Sequence, residues 1–99
     1  MLESELLIHQ PSRLRIMAAL VALPARDRMD FVSLKDSAKL TDGNLSSHLS
    51  TLEQAGYISI DKSFEGKKPI TFISITSKGR NAFSNYIKEL EKFLKGTKS

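Results

Sequence analysis

The sequence predicts a small α+β domain, mostly helical, in which a helix-turn-helix and a two-stranded β-hairpin lie between N- and C-terminal helices. Three observations carry that prediction. Apolar residues recur at helical spacing as far as Ala55, alternate at period 2 between Tyr57 and Ile75, and return to helical spacing after Thr76. Two short helical segments meet near Thr41 with only about three residues between them. Finally, 99 residues that are 40% hydrophobic and 26% charged, with no cysteine, suit one domain (1–99) with a modest core. They exclude a disulfide scaffold, a thiolate metal site and a cysteine redox switch.

Residues 2–23 hold the N-terminal helices. Leu2, Leu6, Leu7 and Ile8 suit two helical turns, and Pro11 suits the first position of a second helix, where its missing N–H costs nothing. Over 11–23 the apolar residues form two stripes, Leu14, Met17, Val21 and Ile16, Leu20, Leu23. That helix is expected to bury both sides, one in its own core and one against a second chain. Pro24 ends it, and a polar connection follows.

Residues 30–55 read as the helix-turn-helix. Asp30 is placed to cap a short helix that carries Phe31, Leu34 and Ala38 on one face. Thr41 caps the next helix, with Leu40 and Leu45 at the hydrophobic-staple positions. Leu45, Leu49 and Leu52 form its buried stripe, and Gly56 and Tyr57 supply a left-handed C′ residue and an apolar C″ partner. The helix is placed at 42–55.

Residues 57–75 read as the hairpin. Strands at 57–61 and 70–75 flank the polar loop Glu65-Gly66-Lys67-Lys68-Pro69, which gives it a basic tip. Thr76 then caps the helix at 77–95, striped with Phe83, Ile87, Leu90 and Leu94, widened by Tyr86 and Phe93, and lined on its other side by Lys88, Lys92 and Lys95. Residues 96–99 are expected to fray. A body of about 60–70 residues already satisfies such a fold, so the apolar surplus at both chain ends points to a homodimer. Its interface is assigned to Leu6, Ile16, Leu20, Phe83, Ile87, Leu90 and Leu94.

Charge is distributed unevenly. Lys+Arg 15 against Asp+Glu 11 gives +4, and the whole excess lies after residue 50. A basic balance of this kind suits a polyanionic partner. The longest apolar run, 16–23, is far short of the roughly 20 residues of a membrane span, and a basic and apolar leader is missing, so the cytoplasm is the simplest location. Enzymatic constellations are poor. Ser47 and His48 are neighbours on one helix, about 100° apart, and cannot pair as nucleophile and base. Gly66-Lys67 fails the phosphate-loop pattern, since Asp61 and Lys68 stand where a Gly and a Ser or Thr are needed. No catalytic residue, metal ligand or cofactor is assigned.

With Leu45, Leu49 and Leu52 turned inward, helical geometry puts Gly43, Ser47, Ser50 and Gln54 outermost, beside Asn44, Ser46 and Thr51. This face is small, polar and uncharged, which lets a helix sink into a major groove about 12 Å wide and hydrogen-bond to base edges and phosphates. Lys67 and Lys68 stand ready for the flanking backbone or minor groove. His48, at the edge of the buried stripe, fits equally a structural, hydrogen-bonded role and a phosphate contact. Arg13 and Arg15 suit packing or an interface ion pair. His9 reads as a plain loop residue.

The run Leu40-Thr41-Asp42-Gly43-Asn44-Leu45-Ser46-Ser47-His48-Leu49, followed by Leu52-Glu53-Gln54-Ala55-Gly56-Tyr57-Ile58, resembles the recognition-helix segment of winged-helix transcriptional regulators of the MarR/ArsR type. Lys67-Lys68-Pro69-Ile70-Thr71 and Ile75-Thr76-Ser77-Lys78-Gly79-Arg80 resemble that group's second wing strand and the start of its last helix, and Ser12-Arg13-Leu14-Arg15-Ile16 its first long helix. The resemblance spans about 11–90 and is closest to the short one-domain branch. It implies a dimeric regulator of double-stranded DNA, with 42–55 as recognition helix and the hairpin as wing. The absence of cysteine means that metal sensing is not carried over, and no small-molecule effector is assigned. A winged-helix module that docks on protein is the alternative. The uncharged small-residue face and the basic hairpin favour DNA, since a protein-docking face would carry apolar side chains.

Overall fold

The structure, a computed structural model, describes residues 3–96, with side chains from Leu6 onward. Leu2 and residues 97–99, assigned above to the first helix and the tail, lie outside it. The elements run α1 (Glu3–His9), α2 (Pro11–Val21), β1 (Met29–Asp30), α3 (Phe31–Ala38), α4 (Asp42–Gln54), β2 (Ile58–Glu65), β3 (Lys68–Ile75) and α5 (Ser77–Gly96). The strands form one antiparallel sheet in the order β1-β3-β2.

Local chemistry explains the helix ends. Gln10, Asp30 and Thr41 cap α2, α3 and α4 by accepting the backbone N–H groups of Arg13, Ser33 and Asn44. At the end of α4 the N–H of Gly56 donates to Glu53 and that of Tyr57 to Leu52, with Gly56 at φ +80°, the paired bonds of a Schellman cap. Thr76 joins this cap to α5. Its Oγ1 donates to the Gly56 carbonyl at 2.6 Å and accepts the Gly79 N–H at 3.0 Å, while its own N–H donates to the Tyr57 carbonyl. Gly79 is needed there for space: a Cβ would overlap the Tyr57 backbone carbonyl.

The turn between α3 and α4 uses Lys39 at φ +57°, where a Cβ is unfavourable by about 1–2 kcal/mol. Lys39→Gly is therefore expected to raise stability by roughly 0.5–1 kcal/mol, read as a higher urea midpoint. A lower midpoint would mean that the lysine side chain supports the turn.

Two sequence expectations change in the sheet. The hairpin is longer than read from alternation: β2 and β3 pair through Phe64↔Pro69 to Glu65↔Lys68, leaving only Gly66 and Lys67 as the turn. Gly66 has φ +65°, and a positive φ at the first of two turn residues is the type II′ geometry that matches strand twist. Pro69 sits one pair beyond the turn, at a non-hydrogen-bonded position, so its missing N–H removes no bond to β2. The sheet also has a third strand, since Met29 and Asp30 pair with Ile73 and Phe72. Arg28 closes over the outer face, 3.8 Å above the Phe72 ring and 3.1 Å from Asp61.

α2 occupies the middle of the protomer, packed by α1, α3, α4, α5 and β3. Both of its stripes are thereby used within one chain. Ile16 and Leu20, assigned above to the dimer interface, are completely buried in the protomer's own core and have no surface for a partner. The helix is apolar on two sides because it is central. His9 also departs from the loop reading: it ends α1, and its Nδ1 lies 2.9 Å from the Tyr86 hydroxyl on α5.

Candidate nucleic-acid interface

Leu45, Leu49 and Leu52 are buried, which fixes the rotation of α4 about its axis. Gly43, Asn44, Ser46, Ser47, Ser50 and Gln54 consequently face solvent, and Thr51 and His48 are half-buried at the margins. Thr51 Oγ1 donates to the Ser47 carbonyl, so its hydroxyl is partly engaged within the helix. Asp42, in the first turn, pairs with Lys35 of α3 at 2.9 Å, and this raises the lysine's pKa. That exposed pair bridges the two helices of the motif and leaves the Asp42 carboxylate paired with a cation.

The row of β2 that faces α4 runs Ile58, Ile60, Lys62, Phe64, opposite Ile75, Ile73, Thr71 and Pro69. It leaves the core gradually, from buried Ile58 to Phe64, which is 71% exposed. Beside it a groove between helix and wing is lined by Ser46, Ser50 and Glu53 from α4 and by Lys62 and Thr71 from the sheet, over a floor of Phe31, Leu49 and Ile60. Lys67 and Lys68 are exposed at the turn. The alternation read from sequence ends the first strand at Asp61 and so leaves Lys62 out. Its signal was present, since it continues the parity of Ile58 and Ile60.

His48 lies on the opposite flank, against α2. Its Nδ1 accepts from Arg13 Nε–H at 3.3 Å, so the neutral ring carries its proton on Nε2. Burial first, then the positive charges of Arg13 and Arg15, hold its pKa below the ordinary histidine value. The unfolded chain then takes up this proton more readily, so the His48 contribution is constant above a pH of about 6.5 and stability falls as pH drops below it. Arg13 Nη1–H also donates to the Leu7 carbonyl at 3.0 Å, and Arg15 Nε–H to the Ala38 carbonyl at 2.8 Å. These contacts agree with the packing role expected for both arginines; neither forms an ion pair among the described residues.

Of the remaining residues assigned to contact between copies, Leu6 and Leu94 are 56% and 51% exposed, and Phe83, Ile87 and Leu90 are half-buried. Phe93 adds to this exposed set. Among the described residues no group of acidic, histidine or cysteine side chains could hold a metal ion, and no helix is long and apolar enough to cross a membrane.

Comparison with known proteins meets this geometry. Residues 12–94 match the family described as Winged helix DNA-binding domain. An uncharacterized protein of Methanocaldococcus jannaschii is 44% identical over 78 residues, which is 79% of this chain and 82% of the relative. A transcriptional regulator homologue from Pyrococcus horikoshii superposes with a TM-score of 0.82 at 28% identity, over 92% of this chain and 87% of that one. A MarR-family regulator from Silicibacter pomeroyi shares the fold, with a TM-score of 0.67 at 19% identity, over 91% of this chain and 57% of that one. The matched family is one of DNA-binding domains rather than enzymes. The helix-turn-helix, the hairpin and all but the last two residues of α5 fall inside the matched segment, and the chain belongs to the winged helix DNA-binding domain family.

Proposed function

We propose that the protein is a cytoplasmic transcriptional regulator that binds double-stranded DNA as a homodimer, with α4 in the major groove and the wing on the flanking backbone or minor groove. The observation that carries this reading is the outer face of α4, where six small or uncharged positions are exposed together beside a basic wing. Such a face admits close approach to base edges, and the lysines supply the phosphate contacts that fix register. Leu6, Phe83, Ile87, Leu90, Phe93 and Leu94 supply the apolar surface through which two copies associate.

Selection from a random duplex pool tests the reading. A dimer presents two recognition helices about one turn, roughly 34 Å, apart, so the selected site is expected to be an inverted repeat with half-sites about 10 bp between centres. A site without that symmetry, or a monomeric mass by light scattering, would overturn the dimeric arrangement. The wing has its own test. Lys67→Ala with Lys68→Ala is expected to weaken specific and random duplex alike and to lower the salt slope by roughly one per lost phosphate contact. An unchanged slope would remove the wing from the interface.

A further inference from the structure

Of the large apolar side chains that stay exposed among the described residues, Leu6, Phe93 and Leu94 belong to the proposed surface between copies and Val32 to α3. Phe64 is on the wing, 71% exposed in the last pair but one before the turn. Pro69, also exposed, opposes it at a non-hydrogen-bonded pair, where facing side chains stand closest. The wing thus turns an apolar pair to solvent. Cations frame it: Lys62 precedes Phe64 in the same row, and Lys67 lies in the turn beyond. The acids Asp61 and Glu65 have the opposite parity and stand on the other face of the sheet, across from Phe72 and Lys68.

Two features point to duplex DNA as the occupant of this tip rather than to another protein. The first is charge: residues 62–69 hold three lysines against one glutamate, and that glutamate is on the far face. The second is the row itself. Lys62 and Thr71 form one wall of the groove whose other wall is Ser46, Ser50 and Glu53 of α4. A phosphate backbone is what separates a major groove from the minor groove beside it. With α4 in the major groove, the space between helix and wing takes that backbone. A strand rises about 3.3 Å per residue, which sets Phe64 about 7 Å beyond Lys62. The minor groove is about 6 Å wide. The ring therefore passes the phosphates and stands over the minor groove, whose sugar walls are apolar.

We propose that Phe64 is a wedge that enters the minor groove beside each half-site, opens one base step there and makes that step a determinant of specificity. The inference rests on the duplex-binding reading above. The ring is carried on strands that stay paired as far as Glu65↔Lys68 and is backed by the rigid ring of Pro69, so little ordering is left to be done on binding. Unstacking is easiest at pyrimidine–purine steps. The preferred flank is accordingly a TA or CA/TG step, which the wing reads without a hydrogen bond. Such a wedge kinks the duplex toward the major groove, where α4 lies.

The test places 2-aminopurine, which brightens when unstacked, at each flanking purine of the selected duplex in turn and adds the full chain. Brightening is expected at one step per half-site, and dyes at the duplex ends are expected to report a bend of about 20–90°. Phe64→Ala is expected to abolish the brightening, reduce the bend and lose on the order of tenfold in affinity for the selected site. Its salt slope should match wild type, since no charge is removed. Replacing the flexible step by an A-tract is expected to cost wild type a similar factor and Phe64→Ala little. Phe64→Leu keeps an apolar wedge and should keep the bend. Because the ring is exposed, both variants should fold as wild type does, and the wild-type fluorescence stands even if one does not. No brightening with wild type would overturn the wedge while leaving duplex binding intact. So would an equal bend and step preference in wild type and Phe64→Ala, which would leave the ring to a protein partner. Absence of any duplex binding would overturn the functional reading, and the wedge with it.

Discussion

Gly79→Ala is expected to destabilise the domain by roughly 3 kcal/mol, although alanine ordinarily favours a helix over glycine by about 1 kcal/mol. The sign reverses because of where α5 starts. A Cβ at position 79 would overlap the carbonyl of Tyr57, a backbone atom that cannot rotate away. That carbonyl is also the acceptor for the Thr76 N–H, and Thr76 in turn holds both the Gly56 carbonyl and the Gly79 N–H. Relief of the overlap must therefore open the joint between the end of α4, the start of β2 and α5. At about 4–8 °C per kcal/mol for a chain of this size, the melting temperature should fall by roughly 12–24 °C. Gly96→Ala, where an added Cβ meets nothing within 4 Å, is the control and should melt at or above wild type. If Gly79→Ala melts with it, the joint yields cheaply.

The second large effect concerns recognition. Ser47→Glu sets a carboxylate on the outermost line of α4, the line that the proposed reading turns toward the phosphate-rich groove. The loss of one base contact costs about 1–3 kcal/mol, and repulsion of similar size brings the expected loss of specific affinity to roughly 100-fold or more. Folding should be unaffected, because Ser47 is exposed and offers only its carbonyl to a neighbour, Thr51. Ser47→Ala should show the smaller, contact-only loss on specific duplex and none on random duplex. Tight binding by Ser47→Glu, measured by anisotropy on the selected site, would mean that another surface reads the DNA.

Features written in a few adjacent residues were legible in the sequence. The Thr41 cap, the Schellman end at Gly56 and the Thr76 cap each depend on one side chain or one backbone conformation, and all three stand in the structure. The outer face of α4 followed from its buried leucines alone. What escaped reading depends on distant partners. β1 is two residues whose pairing lies more than forty positions along the chain, too short to show a period. The hairpin reads short because Lys62, Ser63 and Glu65 are polar and Pro69 cannot donate to a ladder, yet Phe64 and Pro69 oppose each other across it. The two stripes of α2 were visible, but not that one protomer could cover both. Arg13 and His48 meet across thirty-five positions, and only the packing of α2 on α4 brings them together.

The proline in the wing also bears on self-association. β1 stops at Asp30, so beyond Phe72 the outer edge of β3 has no neighbouring strand among the described residues and borders a shallow groove lined by Phe31 and Val32. A bare strand edge next to apolar side chains is a template on which another chain can add a strand. Pro69 removes a donor from that edge, and the charge of Lys68 beside it repels a second copy of the same segment. An extended hairpin can thus project from the body without polymerising through its tips.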